Sequence, residues 1–159
     1  MKLVAVLEKN GEYFGDAVSR CFRDADGVVV LATSRCEDIA SRRCDVVVVS
    51  PEYARTTVPC PNLRCGVLLT PHGCFFTPQG AKSLVTYGMS PQSTLTLSSL
   101  GAQSSLLAIQ REVTAVSGRV LEQQELPVPS AGSADTTLVT AGGRLLLGLS
   151  PQGGAYSHI

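Results

Sequence analysis

Leu3-Val4-Ala5-Val6-Leu7, Val28-Val29-Val30-Leu31-Ala32 and Val46-Val47-Val48-Val49 all stand within the first fifty residues. Each is a short run of apolar residues rich in Val and Leu, with little alternation. A strand needs that pattern when both of its faces are buried, and such strands belong to parallel sheets. Gly66-Val67-Leu68-Leu69 is a fourth run of this kind, and Ser83-Leu84-Val85-Thr86-Tyr87, stopped by Gly88, reads as a fifth strand.

The segments between these runs supply the helices. From Tyr13 to Arg23, Phe14, Val18, Cys21 and Phe22 recur at helical spacing, and Asp24-Ala25-Asp26-Gly27 forms a stop. After Ala32, Thr33 or Ser34 caps a short helix carrying Ile39 and Ala40. The result is a β-α-β unit extended by a third strand, with right-handed crossovers expected. Pro51, Pro59 and Pro61 make 51–62 a loop, and Pro71, Gly73 and Pro78 mark a second loop, with Gln79 to Lys82 read as a helical turn.

From Ser93 to Val128 the pattern changes to alternation. Leu95 and Leu97, then Leu107, Ile109, Val113 and Ala115, share a period of two, which describes half-exposed antiparallel strands. Ser117-Gly118-Arg119 turns this strand back on Val120 to Val128 as a hairpin. Gln110-Arg111-Glu112 then faces Glu122 and Glu125, either as a polar recognition surface or, the preferred reading, as cross-strand charge pairs. Beyond Pro129 and Gly132, Asp135 caps a segment in which Leu138, Val139, Leu145, Leu146 and Leu149 recur at helical intervals. A helix is the first reading of 136–149. Gly142-Gly143 in its middle would also suit a tight hairpin. The expected fold class is α/β, a Rossmann-like, mainly parallel sheet with an antiparallel hairpin extension in the second half. One domain is expected over 1–150, with a loose tail at 151–159 that includes His158.

Composition narrows the function. The chain has 159 residues, 44% hydrophobic and 16% charged, far from the signature of disorder. Thirteen basic residues balance thirteen acidic ones and tryptophan is absent, so no long-range field or stacking stripe invites nucleic acid. Zero net charge favours self-association, and a homo-oligomer is expected. The apolar run after Met1-Lys2 is too short for a signal peptide, and no run approaches the roughly 18 residues of a membrane span. A cytoplasmic protein without membrane contact is expected, with all six cysteines (Cys21, Cys36, Cys44, Cys60, Cys65, Cys74) as reduced thiols.

The second half resembles the closing part of the central domain of the Mur ligases. The resemblance rests on Val85-Thr86-Tyr87-Gly88-Met89, the alternating strands, the bend Leu126-Pro127-Val128-Pro129 and a Leu-rich segment ending Leu147-Gly148-Leu149-Ser150. It spans about 65 residues and depends on the order of elements. Those ligases hold ATP in a Gly-x-x-Gly-Lys-Thr/Ser loop, and this chain has none. The family's Asn and His after a buried strand are met only by Thr70 and His72, and no catalytic residue carries over. The resemblance implies a cut-down relative that keeps the scaffold without the ligase chemistry, bound to cell-wall or sporulation machinery of a bacterium through an unknown protein partner.

Candidate chemistry is sparse. Cys60, Cys65, His72 and Cys74 offer thiolates and an imidazole of the kind zinc prefers, although the spacing is not that of a zinc knuckle. No cofactor other than such a zinc is expected. Gly11-Glu12-Tyr13-Phe14-Gly15 opens a helix where doubly wound folds bind phosphate but lacks the glycine fingerprint, so Phe14 is read as a core anchor. The default crevice lies in the loops at the C-terminal ends of the strands, Glu8 to Gly15, Thr33 to Cys36, Ser50 to Tyr53 and Thr70 to Cys74, with Ser50, Glu52, Thr70, His72 and Cys74 as its polar groups. Two functions follow: a non-catalytic scaffold or interaction protein, and, as the alternative, a small-molecule or nucleotide-binding protein or enzyme using that crevice.

Overall fold

The computed structural model describes residues 1–56, 60, 63–74 and 80–152. In chain order the elements of the first half are β1 (Lys2–Leu7), α1 (Phe14–Arg20), β2 (Val28–Thr33), α2 (Glu37–Ala40), β3 (Arg43–Val49), β4 (Arg64–Pro71) and β5 (Ala81–Tyr87). The second half adds β6 (Leu95–Leu100), β7 (Ser104–Ile109), β8 (Val113–Thr114), β9 (Val120–Leu121), β10 (Gln124–Pro129) and α3 (Ala134–Leu146). Eight strands form one sheet in the order β10-β7-β6-β5-β4-β3-β1-β2, and β8 and β9 form a small second one. The pairs from β2 through β6 are parallel, whereas β7 runs against both β6 and β10. This is the expected α/β sheet with an antiparallel extension.

The unalternating strands are explained by two covered faces. Val4, Val6, Val46, Val48, Val67 and Leu69 point to one face, under Phe14, Val18 and Phe22 from the α1 segment and Leu138, Val139 and Leu146 of α3. Ala5, Leu7, Val47, Val49 and Leu68 point to the other, under Cys36, Ile39, Tyr53, Cys60 and Leu63. Burying each of these Val or Leu side chains stabilises by about 1.5–3 kcal/mol. β2 departs from the expectation: it is the sheet's edge, and Val29 remains 42% exposed. Composition alone does not separate an edge strand from a central one, because β1 takes β3 rather than a further strand beyond β2.

The segment around the glycine pair is a helix, with Ser133 rather than Asp135 as its N-cap; the Ser133 hydroxyl accepts from Thr136 N at 3.1 Å. Both glycines mark close approaches: a methyl on Gly142 would lie 2.6 Å from Leu95 Cδ1, and one on Gly143 would lie 3.3 Å from Phe22 Cζ. Arg144 then locks α3 to the end of α1. It is 4% exposed, spans the Asp24 carboxylate at 3.1 and 3.3 Å and donates to Cys21 O at 3.2 Å and Ser150 O at 2.7 Å.

Three further readings are revised. The single long hairpin is divided, its register slipping from Ile109↔Gln124 to Val113↔Leu121. Gln110 leaves it to bond Ser93 O and Thr94 O, and Arg111 donates to Gln92 O at 2.9 Å, so Arg111 makes no ion pair with Glu122 or Glu125. Ala81 and Lys82 begin β5 rather than a helical turn, and Gln79 lies outside the described residues. Of the tail, Gln152 is held to Pro127 O at 2.8 Å, and 153–159, with His158, fall outside the described residues.

The cysteines are not all thiols. Cys36 and Cys60 are joined as a disulfide with their Cα atoms 5.8 Å apart, which ties the start of α2 to the chain entering β4. Compartment was the sequence argument for reduced thiols; proximity in the folded layer decides otherwise. Closing a loop of 24 residues stabilises by about 3 kcal/mol in the chain-entropy account. Alkylation of the denatured, unreduced chain followed by mass spectrometry should therefore label four cysteines, Cys21, Cys44, Cys65 and Cys74. Labelling of all six without reductant would remove the cross-link.

Candidate functional site

The C-terminal ends of β1, β3, β4 and β5 bring together the loops where a Rossmann-like sheet would hold a ligand. Gly11 and Tyr13 both take left-handed conformations, with φ of 86° and 59°, and Tyr13 is the one non-glycine among the described residues to do so. This bend turns the chain so that the Gly15 amide at the start of α1 meets the Glu8 carboxylate at 2.6 Å. A nucleotide phosphate would ordinarily sit on such an amide. Here the chain's own carboxylate fills the position, and Phe14 beside it is 8% exposed and anchored in the core.

Glu12 draws the neighbouring loops together. Its Oε1 accepts from Ser50 Oγ at 2.6 Å and Lys9 N at 2.9 Å, and its Oε2 from Glu52 N at 3.4 Å. Ser50, fully buried, also accepts from Tyr53 N at 3.1 Å. Of the expected crevice residues, Ser50 and the Glu52 backbone are thus committed to the scaffold, and the Glu52 side chain pairs with Arg55 at 4.0 Å. Tyr87 closes the floor by donating to Val49 O at 2.7 Å. Burial, with Asp135, Glu12 and Cys74 nearby, holds its phenol far above the ordinary value.

Thr70, His72 and Cys74 end β4 in one short stretch. Thr70 and, from the next loop, Ser93 are buried hydroxyls whose oxygens have no hydrogen-bond partner among the described residues. His72 is exposed, its backbone N–H donating to Tyr87 O at 2.9 Å. The Cys74 thiol is directed at Ala54 O, 3.5 Å away.

The four suggested zinc ligands are not brought together. Cys60 is spent in the disulfide, and Cys65 stands near the start of β4, whereas His72 follows its end. Seven residues of strand separate Cys65 from His72, or about 23 Å. Burial, with Cys44 beside it, pushes the Cys65 thiol up to about 12, which disfavours it as a nucleophile at neutral pH. Among the described residues, no group of three or more His, Cys, Asp or Glu is placed to hold a metal ion.

The crevice is acidic. Glu8 and Glu12 lie on the β1–α1 loop, and Asp135, in the first turn of α3, is close enough to Glu12 to feel its charge. The loop carrying Glu8 and Glu12 was expected at the crevice from the sequence, but nothing in the spacing signals that Asp135, more than a hundred residues on, comes close to Glu12. The chain matches no family model, no curated protein and no solved structure among those compared.

Burial first, and then Glu12, raise the Asp135 pKa above its ordinary value. A carboxyl with a raised folded pKa contributes stability that is present at low pH and lost as pH rises through that folded value. Asp135→Asn should therefore stabilise the protein at neutral pH. The gain should shrink as the pH falls toward the ordinary Asp value of 3.8, as followed by urea unfolding across pH. A loss of stability equal at both ends of the range would contradict this charge balance.

Proposed function

We propose that this protein is a non-catalytic, self-associating scaffold, a Mur-ligase-like sheet whose ligand crevice has been closed by its own side chains. The observation that carries the reading is the Glu8 carboxylate on the Gly15 amide, 2.6 Å away, where a phosphate would bind. Glu12 bonded across to Ser50 supports it. The order of strand, Tyr-Gly, antiparallel strands, Pro-containing bend and helix is in keeping with that family, and the absence of its phosphate loop is in keeping with a relative that has lost the ligase chemistry.

The surface offered for assembly is the β2 edge. Val28-Val29-Val30-Leu31-Ala32-Thr33 carries no charge, Pro or bulge, the devices that usually blunt an edge strand. Gly27 O and Thr33 O accept from Lys2 N and Glu8 N of the β1 side. By the alternation of a parallel ladder, Val28, Val30 and Ala32 turn their N–H and C=O groups outward. An antiparallel pairing of β2 with its own copy about Val30 joins Val28 to Ala32 twice and forms about six hydrogen bonds. It sets Asp26 of one copy opposite Ser34, next to Arg35, of the other. The zero net charge of the chain adds no repulsion.

The second reading, a small-molecule or nucleotide-binding protein, draws on the Thr70 and Ser93 hydroxyls, which have no hydrogen-bond partner among the described residues. Sedimentation velocity over a concentration series separates the two. A monomer–dimer equilibrium is expected for the native chain, displaced to monomer by Val29→Lys or by Val30→Pro, with circular dichroism unchanged. A monomer at every concentration, or a saturable rise in Tm with an amino acid, would overturn the scaffold reading.

A further inference from the structure

The described surface has a concavity at the opposite end of the sheet from the plugged crevice. It is a depression of about 840 Å³ at the N-terminal ends of β3, β4 and β5, within the size range of small-ligand sites. Arg42, Arg43, Arg64 and Lys82 stand around it, four of the thirteen basic residues of a chain with no net charge. Arg43 of β3 and Arg64 of β4 are direct register partners. Lys82 follows Ala81, the register partner of Cys65, so the three cations head three adjacent strands.

Like charges placed opposite each other on a sheet repel, and a fold ordinarily answers them with carboxylates. Here it does not. All thirteen Asp and Glu residues lie in the described part of the chain, and none forms an ion pair with any of these four cations. Asp45, the one acid lining the depression, has a carboxylate oxygen committed to Leu3 N at 2.8 Å. The stretches 57–59, 61–62 and 75–79 contain no acid either. Among the described residues, no side-chain hydrogen bond is made by Arg42, Arg43, Arg64 or Lys82.

We propose that this depression binds a small phosphate-bearing polyanion. Two or more guanidinium forks match the oxygens of phosphate groups bidentately, and Lys82 adds a compact charge. The concave form suits a soluble molecule that enters it better than a flat anionic membrane. The arrangement inverts the usual Rossmann geometry: the crevice end is acidic and plugged by Glu8, and the anion site lies at the other end. The inference does not depend on whether β2 self-associates.

The test is thermal unfolding of the full chain at low ionic strength, titrated with pyrophosphate or tripolyphosphate and compared with chloride at equal ionic strength. The native protein is expected to show a saturable rise in Tm that chloride does not reproduce. In the Arg43→Gln, Arg64→Gln double variant the apparent Kd should weaken by about tenfold or more, while Arg20→Gln at the end of α1 should respond like the native chain. Without anion, Arg43→Gln alone should unfold at the same temperature as the native chain or higher, because a repulsion is relieved; a merely structural arginine would give the opposite. No saturable rise, an equal rise in the double variant, or binding to phosphatidylglycerol vesicles with no response to pyrophosphate would overturn the proposal.

Discussion

The structure depends on the β1–β3–β4 ladder being dry on both faces. Val4, Val6, Val46 and Val48 meet one helical layer, and Ala5, Leu7, Val47 and Val49 meet the other. With water excluded from both sides, backbone N–H and C=O groups in these strands must find each other, and the parallel register Val4↔Val46 through Leu7↔Val49 follows. Every other feature is hung on that ladder. α1 and α3 lie on one face, and α2 with the Cys36–Cys60 tie covers the other. The strand ends deliver an acidic and a basic rim.

How much of this was legible follows from the range of the interactions involved. The Val-rich runs, the helix at Phe14–Arg20 and the switch to alternation after Ser93 are local patterns, and they appear in the structure as strands, helix and antiparallel extension. The helix at Ala134–Leu146 was legible despite Gly142-Gly143, whose purpose becomes visible only once Leu95 and Phe22 are seen to press against them. What was not legible is non-local. The edge position of β2 depends on β1 choosing β3, the hairpin break depends on Gln110 and Arg111 bonding the loop before β6, and the Cys36–Cys60 pair depends on two loops meeting over the same face.

The candidate site shows the same division. Ser50, Glu52, Thr70, His72 and Cys74 were placed at the strand ends by the doubly wound rule, and Thr70, His72 and Cys74 do follow one another out of β4. Glu8, Glu12 and Asp135 have no sequence spacing that announces a cluster, yet their carboxylates make that end acidic. The opposite rim was hidden for a different reason: a net charge of zero averages over the molecule, and the four cations come from one loop and three strand starts. Overall charge is blind to local polarity.

The claim at the centre is that these strands form the sheltered middle of one sheet, and native-state hydrogen exchange on dilute protein tests it most directly. Hydrogen exchange is predicted to be slowest, and limited by global opening alone, for the amides of Ala5, Leu7, Val46–Val48 and Val67–Leu69, while those of β2, β8 and β9 exchange earlier. Early exchange of the Ala5, Leu7 and Val46–Val48 amides, or two slow groups with separate opening energies for the two halves of the chain, would contradict it.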